Sequence, residues 1–256
     1  ATLEFALPPP PPNSEADSHA GEFAGEPPFH TPPPAPEGRF DLLLAVGGDG
    51  TVLRAFHTQP GAPVLGINSG TLGFLTAGEE KEAGAIIEAL FAGELFIEER
   101  LVIESLFEGR SYLVVNEAVV KGATRMVHVD VSIDGAFIHT YRGDGVIVGT
   151  PTGSTSFLMS TGSPIVMPRV DCLVLNGINE HRFSARSIVL RGSSVVQLRV
   201  NPATRDHEVF LSHDGRDRIS LRPGSEITLR RADRPVRILF LDEQYFFRNL
   251  KSRLRW

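Results

Sequence analysis

Gly47-Gly48-Asp49-Gly50-Thr51 is the stretch whose residue types point most directly to chemistry. It follows a short apolar run, Phe40 to Val46, and leads into Thr51 to His57, whose pattern predicts a helix. Glycines directly after a buried strand let the backbone approach a ligand closely. A helix starting there presents unpaired N–H groups and the positive end of its dipole to an anion. Gly47, Gly48, Gly50 and Thr51 are therefore candidate phosphate-binding positions. A carboxylate inside a phosphate turn opposes binding, so Asp49 needs another purpose: to coordinate a metal, or to accept a proton from a hydroxyl that attacks a phosphate. Asp-Gly is also a good turn pair, but the double glycine, the strand before it and the helix after it favour a site. Arg54, in the first turn of that helix, is within reach of a pyrophosphate, with a solvated helix arginine as the alternative.

Other polar groups fall where a ligand could use them. Asn116-Glu117 follows the apolar stretch Tyr112 to Val115 and offers an amide and a carboxylate, suited to adenine nitrogens or to ribose hydroxyls; a polar strand end is the alternative. Thr152 to Ser156 supplies hydroxyls and backbone donors in a tight turn, fit for sugar hydroxyls or amide groups. Phe74 ends a second glycine-bearing turn, Ser69 to Gly73, and its ring can stack on a base or pack under its own loop. Asp134-Gly135 and Asp214-Gly215 read as turns between strands. His181, His207 and His213 lack ligand spacing, which argues against zinc, and Cys172 in the run Cys172 to Leu175 reads as a buried core thiol.

The pentapeptide resembles the signature shared by NAD kinases, diacylglycerol-type lipid kinases and phosphofructokinases. Three further stretches choose among them: Asn68 to Leu75, Asn116-Glu117, and Gly143 to Phe157 with its continuation Ser160 to Val166. With the pentapeptide, and in the same order, they are similar to the four motif blocks of NAD kinases, over roughly Phe40 to Trp256. The resemblance implies phosphoryl transfer from ATP or polyphosphate, with Mg²⁺ or another divalent metal, to the 2′-hydroxyl of the adenosine ribose of NAD, giving NADP. It implies Asp49 as the catalytic residue. It implies NAD-binding roles for Asp49, Gly50, Arg54, Phe74, Asn116, Glu117, Arg142, Asp144, Thr155, Ser156, Phe157 and Ser160. It implies no protein-only metal site, and a dimer or tetramer.

This chain also departs from the family pattern. Thr155-Ser156-Phe157 stands where Thr-Ala-Tyr is usual, and Ser160-Thr161-Gly162-Ser163-Pro164 where Ser-Ala-Gly-Gly-Pro is usual. Phe157 keeps a ring but loses a hydroxyl, whose hydrogen bond would be worth about 0.5–1.5 kcal/mol. Arg216 follows Asp214-Gly215 where glutamine is common, and a proline-rich stretch stands where relatives begin with a strand and helix. Two other readings stay open: an NAD-binding regulatory protein without catalysis, and a lipid or sugar kinase sharing only the glycine turn.

The elements that must position these residues change character along the chain. Residues 1–38 hold the proline runs and read as an extended or disordered tail, with at most a short strand at Thr2 to Leu7. Residues 39–97 alternate apolar run, glycine turn and helical spacing: strands at Phe40 to Val46 and Pro63 to Asn68, a helix at Glu79 to Ala92. This is the pattern of an α/β domain with an open parallel sheet. Residues 98–235 shift to a period of two and predict a β-rich, sandwich-like domain. Strands are expected at Arg100 to Leu106, Ser111 to Lys121, Val127 to Ile133, Ala136 to Tyr141, Gly145 to Val148, Ile188 to Leu190, Val195 to Val200, Val209 to Leu211, Arg218 to Leu221 and Glu226 to Arg230. Residues 236–256 are expected to return a strand and an amphipathic helix, Tyr245 to Trp256, to the first domain. The net charge of -6 argues against a nucleic-acid binder. A single cysteine, no apolar run near the roughly 20 residues of a membrane span, and an acidic, proline-rich start unlike a signal peptide predict a soluble cytoplasmic protein.

Overall fold

The computed structural model of the protein describes residues 40–70, 72–181, 186–204, 208–216 and 218–254. The proline-rich stretch, with the strand expected at Thr2 to Leu7, lies outside them. The chain first forms β1 (Leu43–Val46), α1 (Asp49–Thr58), β2 (Val64–Asn68), β3 (Gly78–Glu79), α2 (Ala83–Ala92) and β4 (Phe96–Arg100). Every residue of β2 is buried, as befits an apolar strand in the middle of a covered parallel sheet. β1 and β3 lie parallel on its two sides at different heights, Leu43 opposite Val64 and Ile67 opposite Gly78.

The next elements are β5 (Ile103–Phe107), β6 (Arg110–Val114), β7 (Glu117–Gly122), β8 (Val127–Ile133), β9 (Ala136–Gly143) and β10 (Gly145–Gly149). After the short helix α3 (Phe157–Ser160) come β11 (Cys172–Ile178), β12 (Ile188–Arg191), β13 (Val196–Val200), β14 (Val209–His213), β15 (Ile219–Leu221) and β16 (Glu226–Arg231). They make two six-stranded sheets, ordered β12-β11-β10-β7-β14-β15 and β6-β5-β16-β13-β8-β9. Alternation shows why: Val196, Leu198 and Val200 face a shared core while Gln197 and Arg199 face out. That core joins Val120, Val146 and Leu173 of one sheet to Val129, Leu198 and Leu229 of the other.

The chain then forms β17 (Val236–Phe240) and α4 (Tyr245–Leu254). β17 inserts between β2, to which it runs parallel, and β4, to which it runs antiparallel. The first sheet is therefore mixed rather than purely parallel. Val52 and Phe56 of α1 and Phe246 of α4 share one apolar cluster with Val64 and Phe240, while Ile86 of α2 packs with Leu65, Ile67 and Leu239.

Some boundaries differ from expectation for local reasons. The run Ser111 to Lys121 divides into β6 and β7, because the amides of Val115, Asn116 and Glu117 all turn to one carboxylate, Asp214, instead of to a neighbouring strand. The helix expected from Glu79 begins at Ala83: Glu79 and Glu82 form a capping box around a single 3-10 turn. Arg100 closes β4 rather than opening the next strand. The apolar run at Cys172 proves to be the start of a full strand, β11. Among the described residues no helix is long and apolar enough to cross a membrane.

Candidate active site

α1 begins at Asp49, two residues before the expected start, with Gly48 as its N-cap. Gly47 has φ +149°, and a Cβ there would lie 2.4 Å from the Thr51 hydroxyl, so this bend admits only glycine comfortably. The turn sits at the carboxyl end of β1, where open α/β sheets bind their ligands. Asp49 does not simply project into solvent. Its Oδ2 accepts the Phe74 N–H and its Oδ1 the Leu75 N–H, each at 2.9 Å. Gly73 permits that approach, since a Cβ on it would come within 1.9 Å of Asp49 Oδ1. The Asn249 side chain of α4 in turn donates to the Gly73 carbonyl at 2.8 Å. One carboxylate thus ties the two glycine turns together.

Phe74 gives its amide to Asp49, but its ring is only 7% exposed and packs against Phe246. Of the two readings of this ring, the burial and the contact with Phe246 match packing under its own loop.

A second carboxylate organises the other half of the site. Asp214 occupies the turn between β14 and β15 with φ 50°. It is a turn residue, as expected, yet its side chain is fully buried. Its oxygens accept the N–H groups of Val115 at 3.0 Å, Asn116 at 2.7 Å and Glu117 at 3.2 Å, and Oδ2 lies 2.8 Å from His57 Nε2 of α1. An open cleft of about 450 Å³ lies between Gly48, Gly50, Thr51 and Arg54 on one side and Asp214 and Arg216 on the other. Arg216 Nε is buried with no hydrogen-bond partner among the described residues. Arg54 is exposed and donates to Thr51 Oγ1. A larger cleft, lined by Phe40, Gln59, Pro63, Arg234 and Arg237, lies at the opposite end of β2 and contains none of the expected site residues.

Asn116 Oδ1 and Glu117 Oε2 are also buried without partners, although buried polar atoms nearly always have one. Glu117 is 4% exposed, and burial together with the adjacent Asp214 charge pushes its carboxyl up to about 8. Such a group is protonated at neutral pH and can donate as well as accept. Ser156 Oγ reaches Glu117 Oε1 at 3.4 Å.

The hydroxyl-rich turn is mostly self-contained. Ser154 Oγ bonds Pro151 O and the Val166 backbone, Thr155 Oγ1 bonds Thr152 O, and Thr152 Oγ1 accepts from Arg100. These hydroxyls shape the turn, and Ser156 is the one directed at Glu117. Phe157 is 36% exposed, and the Ser160 hydroxyl bonds its own helix at Phe157 O. Thr161 and Ser163, which depart from the family pattern, are bound together by the Asn176 side chain of β11. Arg142 and Asp144 lie apart from this cluster. Gly145 is opposite Lys121 and Gly149 opposite Glu117, which puts Asp144 about 13 Å or more along the strand from Glu117. Asp144 Oδ2 there accepts from Asn179 at 2.7 Å.

The structure thus brings Gly48, Asp49, Gly50, Thr51, Arg54, Asn116, Glu117 and Ser156 around elements joined by Asp214. The sequence pointed to no role for Asp214, His57 or Arg100 at the site. An inward-facing turn aspartate has the same sequence signature as an outward-facing one.

Residues 33–95 match the family model of the ATP-NAD kinase N-terminal domain, and residues 115–241 that of the ATP-NAD kinase C-terminal domain. The NAD kinase of Symbiobacterium thermophilum is 41% identical over 239 residues, spanning 90% of this chain and 84% of that protein. The NAD kinase of Moorella thermoacetica is 38% identical over 221 residues, spanning 83% and 70%. Among solved structures, yeast NADH kinase complexed with NADH superposes with a TM-score of 0.78 at 27% identity, covering 85% of this chain and 67% of that one. An Archaeoglobus fulgidus NAD kinase in complex with ATP does so with a TM-score of 0.71 at 27% identity, covering 83% and 84%. On both domains and along most of its length, the chain belongs to the ATP-NAD kinase family.

Proposed function

We propose that the protein transfers the γ-phosphoryl group of ATP to the 2′-hydroxyl of the adenosine ribose of NAD, giving NADP and ADP. Beyond family membership, the observation that carries this is the Asp214 carboxylate. It holds the phosphate-turn helix through His57 and holds Asn116 and Glu117 through their backbone amides. A phosphate cleft and two polar side chains, each with a buried oxygen that has no partner among the described residues, are thereby fixed against each other, as a two-substrate transfer requires.

In the transfer the ribose oxygen attacks the γ-phosphorus, the bond from that phosphorus to the bridging oxygen of ADP breaks, and the hydroxyl proton passes to Asp49. The Phe74 and Leu75 amides hold the Asp49 carboxylate in one orientation, and each oxygen keeps an acceptor site for that hydroxyl. First-turn N–H groups of α1, with Arg54 and Arg216, offset phosphate charge. A Mg²⁺ held mainly by nucleotide phosphates and water needs one or two carboxylates at most, and would supply further charge neutralisation with Asp49 as its ligand from the turn. The Asp49 carboxylate in the phosphate turn, each oxygen of which takes one backbone N–H, is a hard oxygen donor of the kind such an ion takes.

The test is NADP formation from NAD with ATP and, in parallel, with polyphosphate. Asp49→Asn should lower kcat by roughly 10²–10⁴-fold while calorimetry still detects NAD binding. No NADP from the parent protein, or an undiminished rate in the variant, overturns the reading. A cytoplasmic location belongs to the same proposal; the one cysteine, buried as a free thiol, supports it, and cell fractionation tests it.

A further inference from the structure

Arg100 is 2% exposed, an unusual place for a guanidinium. It is held by the first sheet: its Nε donates to Glu98 of the same strand and its Nη2 to the Tyr245 hydroxyl of α4. Tyr245 completes the triangle by donating to Glu98 Oε1 at 2.8 Å. The guanidinium also lies 5.6 Å from the centroid of the Phe240 ring and 5.7 Å from that of Tyr245. Its remaining arm leaves this cluster. Arg100 Nη1 donates to Thr152 Oγ1 at 3.0 Å, in the turn between β10 and α3.

A buried ion pair is a weak stabiliser, because well-packed apolar side chains of similar volume usually serve stability as well or better. Stability of the first layer alone therefore gives no reason for an arginine here. Its rigid fork does something an apolar group cannot, by fixing a point of another element at hydrogen-bond distance. That point leads to the dinucleotide site in two steps. Thr152 N–H donates to Thr150 Oγ1 at 3.1 Å, and Thr150 Oγ1 donates to Val115 O at 2.5 Å, while Thr150 N–H donates to Asn116 O at 2.9 Å. Gly153, next to Thr152, packs so closely on this segment that a Cβ would lie 2.3 Å from Asn116 O and 2.9 Å from Glu117 Oε2. Asn116 Oδ1 and Glu117 Oε2 are buried oxygens without a partner among the described residues.

We propose that Arg100, anchored by Glu98 and Tyr245, is a positioning residue: by gripping Thr152 it sets the Thr150 to Ser156 turn against Asn116 and Glu117, and so fixes the binding site for the NAD ribose. The proposal rests on the reading that Asn116 and Glu117 receive the dinucleotide. Arg100 touches no substrate; its effect reaches NAD through the turn and leaves the phosphate turn of α1 alone.

The experiment uses the full chain. Thr152→Val removes the acceptor and keeps the shape, Thr152→Ser keeps the acceptor, and Arg100→Met removes the donor. Losing a charge-assisted hydrogen bond at this point should raise the KM for NAD about tenfold or more in Thr152→Val, while the KM for ATP stays within about twofold. Thr152→Ser should restore the parent value. Thr152→Val combined with Arg100→Met should be no worse than the poorer single variant, since both break one link. Equal rises in both KM values, an unchanged KM for NAD in Thr152→Val, or additive effects in the pair overturn the proposal. If Arg100→Met does not fold, the Thr152 pair decides alone. If the parent makes no NADP, the functional reading fails, and calorimetric NAD affinity of the same variants judges the positioning; an unaltered affinity in Thr152→Val, or no NAD binding by the parent, overturns it.

Discussion

Glu117 is a carboxyl group that folding places away from water and beside another carboxylate, Asp214, with only the Ser156 hydroxyl opposing the shift. The folded chain therefore holds this proton up to about pH 8, whereas the unfolded chain releases it near the ordinary carboxyl value of 4.5. Between those values the native state binds more protons than the unfolded state. Its contribution to stability is complete below the lower value and is lost as pH rises through the upper one. Glu117→Gln, an uncharged mimic of the protonated acid, should flatten the fall in melting temperature that the parent shows between about pH 5 and 8. Thermal melts across that window check it, and parallel slopes in parent and variant overturn it. Residue types did announce this position, since an adjacent amide and carboxylate at a strand end suit a nucleoside. What sequence could not give is the charge state. That depends first on how deeply folding buries the group, and then on Asp214, 97 residues away, turning inward.

At the scale of elements, the decisive insertion is β17 between β2 and β4. Truncation after Pro235 removes the only strand among the described residues that connects β4 to β2, and removes α4 with Asn249 and Tyr245. Hydrogen exchange of that truncated chain should show β1, β2 and β4 unprotected while β7, β8, β10 and β13 keep much of their protection, because the sandwich core contains no residue of β17 or α4. Retained protection in β2 contradicts this. Local pattern was enough to find most strands, including the Asp134-Gly135 hairpin, whose two positive φ values are what that turn demands. It failed where a long-range contact overrode local preference. The break at Val115 and Asn116 exists because Asp214 captures their amides, while apolar residues continue on both sides of it. The mixed character of the first sheet was likewise illegible, since strand direction is set by connections and leaves no periodic trace.

Taken whole, the molecule keeps several large apolar side chains in water. Phe137 and Ile138 of β9 are 63% and 45% exposed, and Val189 of β12 is 54% exposed. β9 and β12 are edge strands of the two sandwich sheets, and exposed apolar edges invite association. We expect sedimentation to give a small multiple of the 27.9 kDa chain mass, with Phe137→Glu shifting it toward one chain. A monomer mass for the parent at micromolar concentration overturns that expectation. The side-chain bond from Asn249 to the Gly73 carbonyl spans 176 residues, and β17 joins β2 over a similar separation. Translation at about 5–20 residues per second would deliver the second partner roughly 10–35 s after the first. During that interval Val64 and Leu65 of β2 lack their strand partner, and the Gly73 turn that holds Asp49 has no anchor from α4. The nascent chain is therefore exposed to strand-edge aggregation while it waits, and it cannot acquire its phosphate site until almost all of the sequence shown here has left the ribosome.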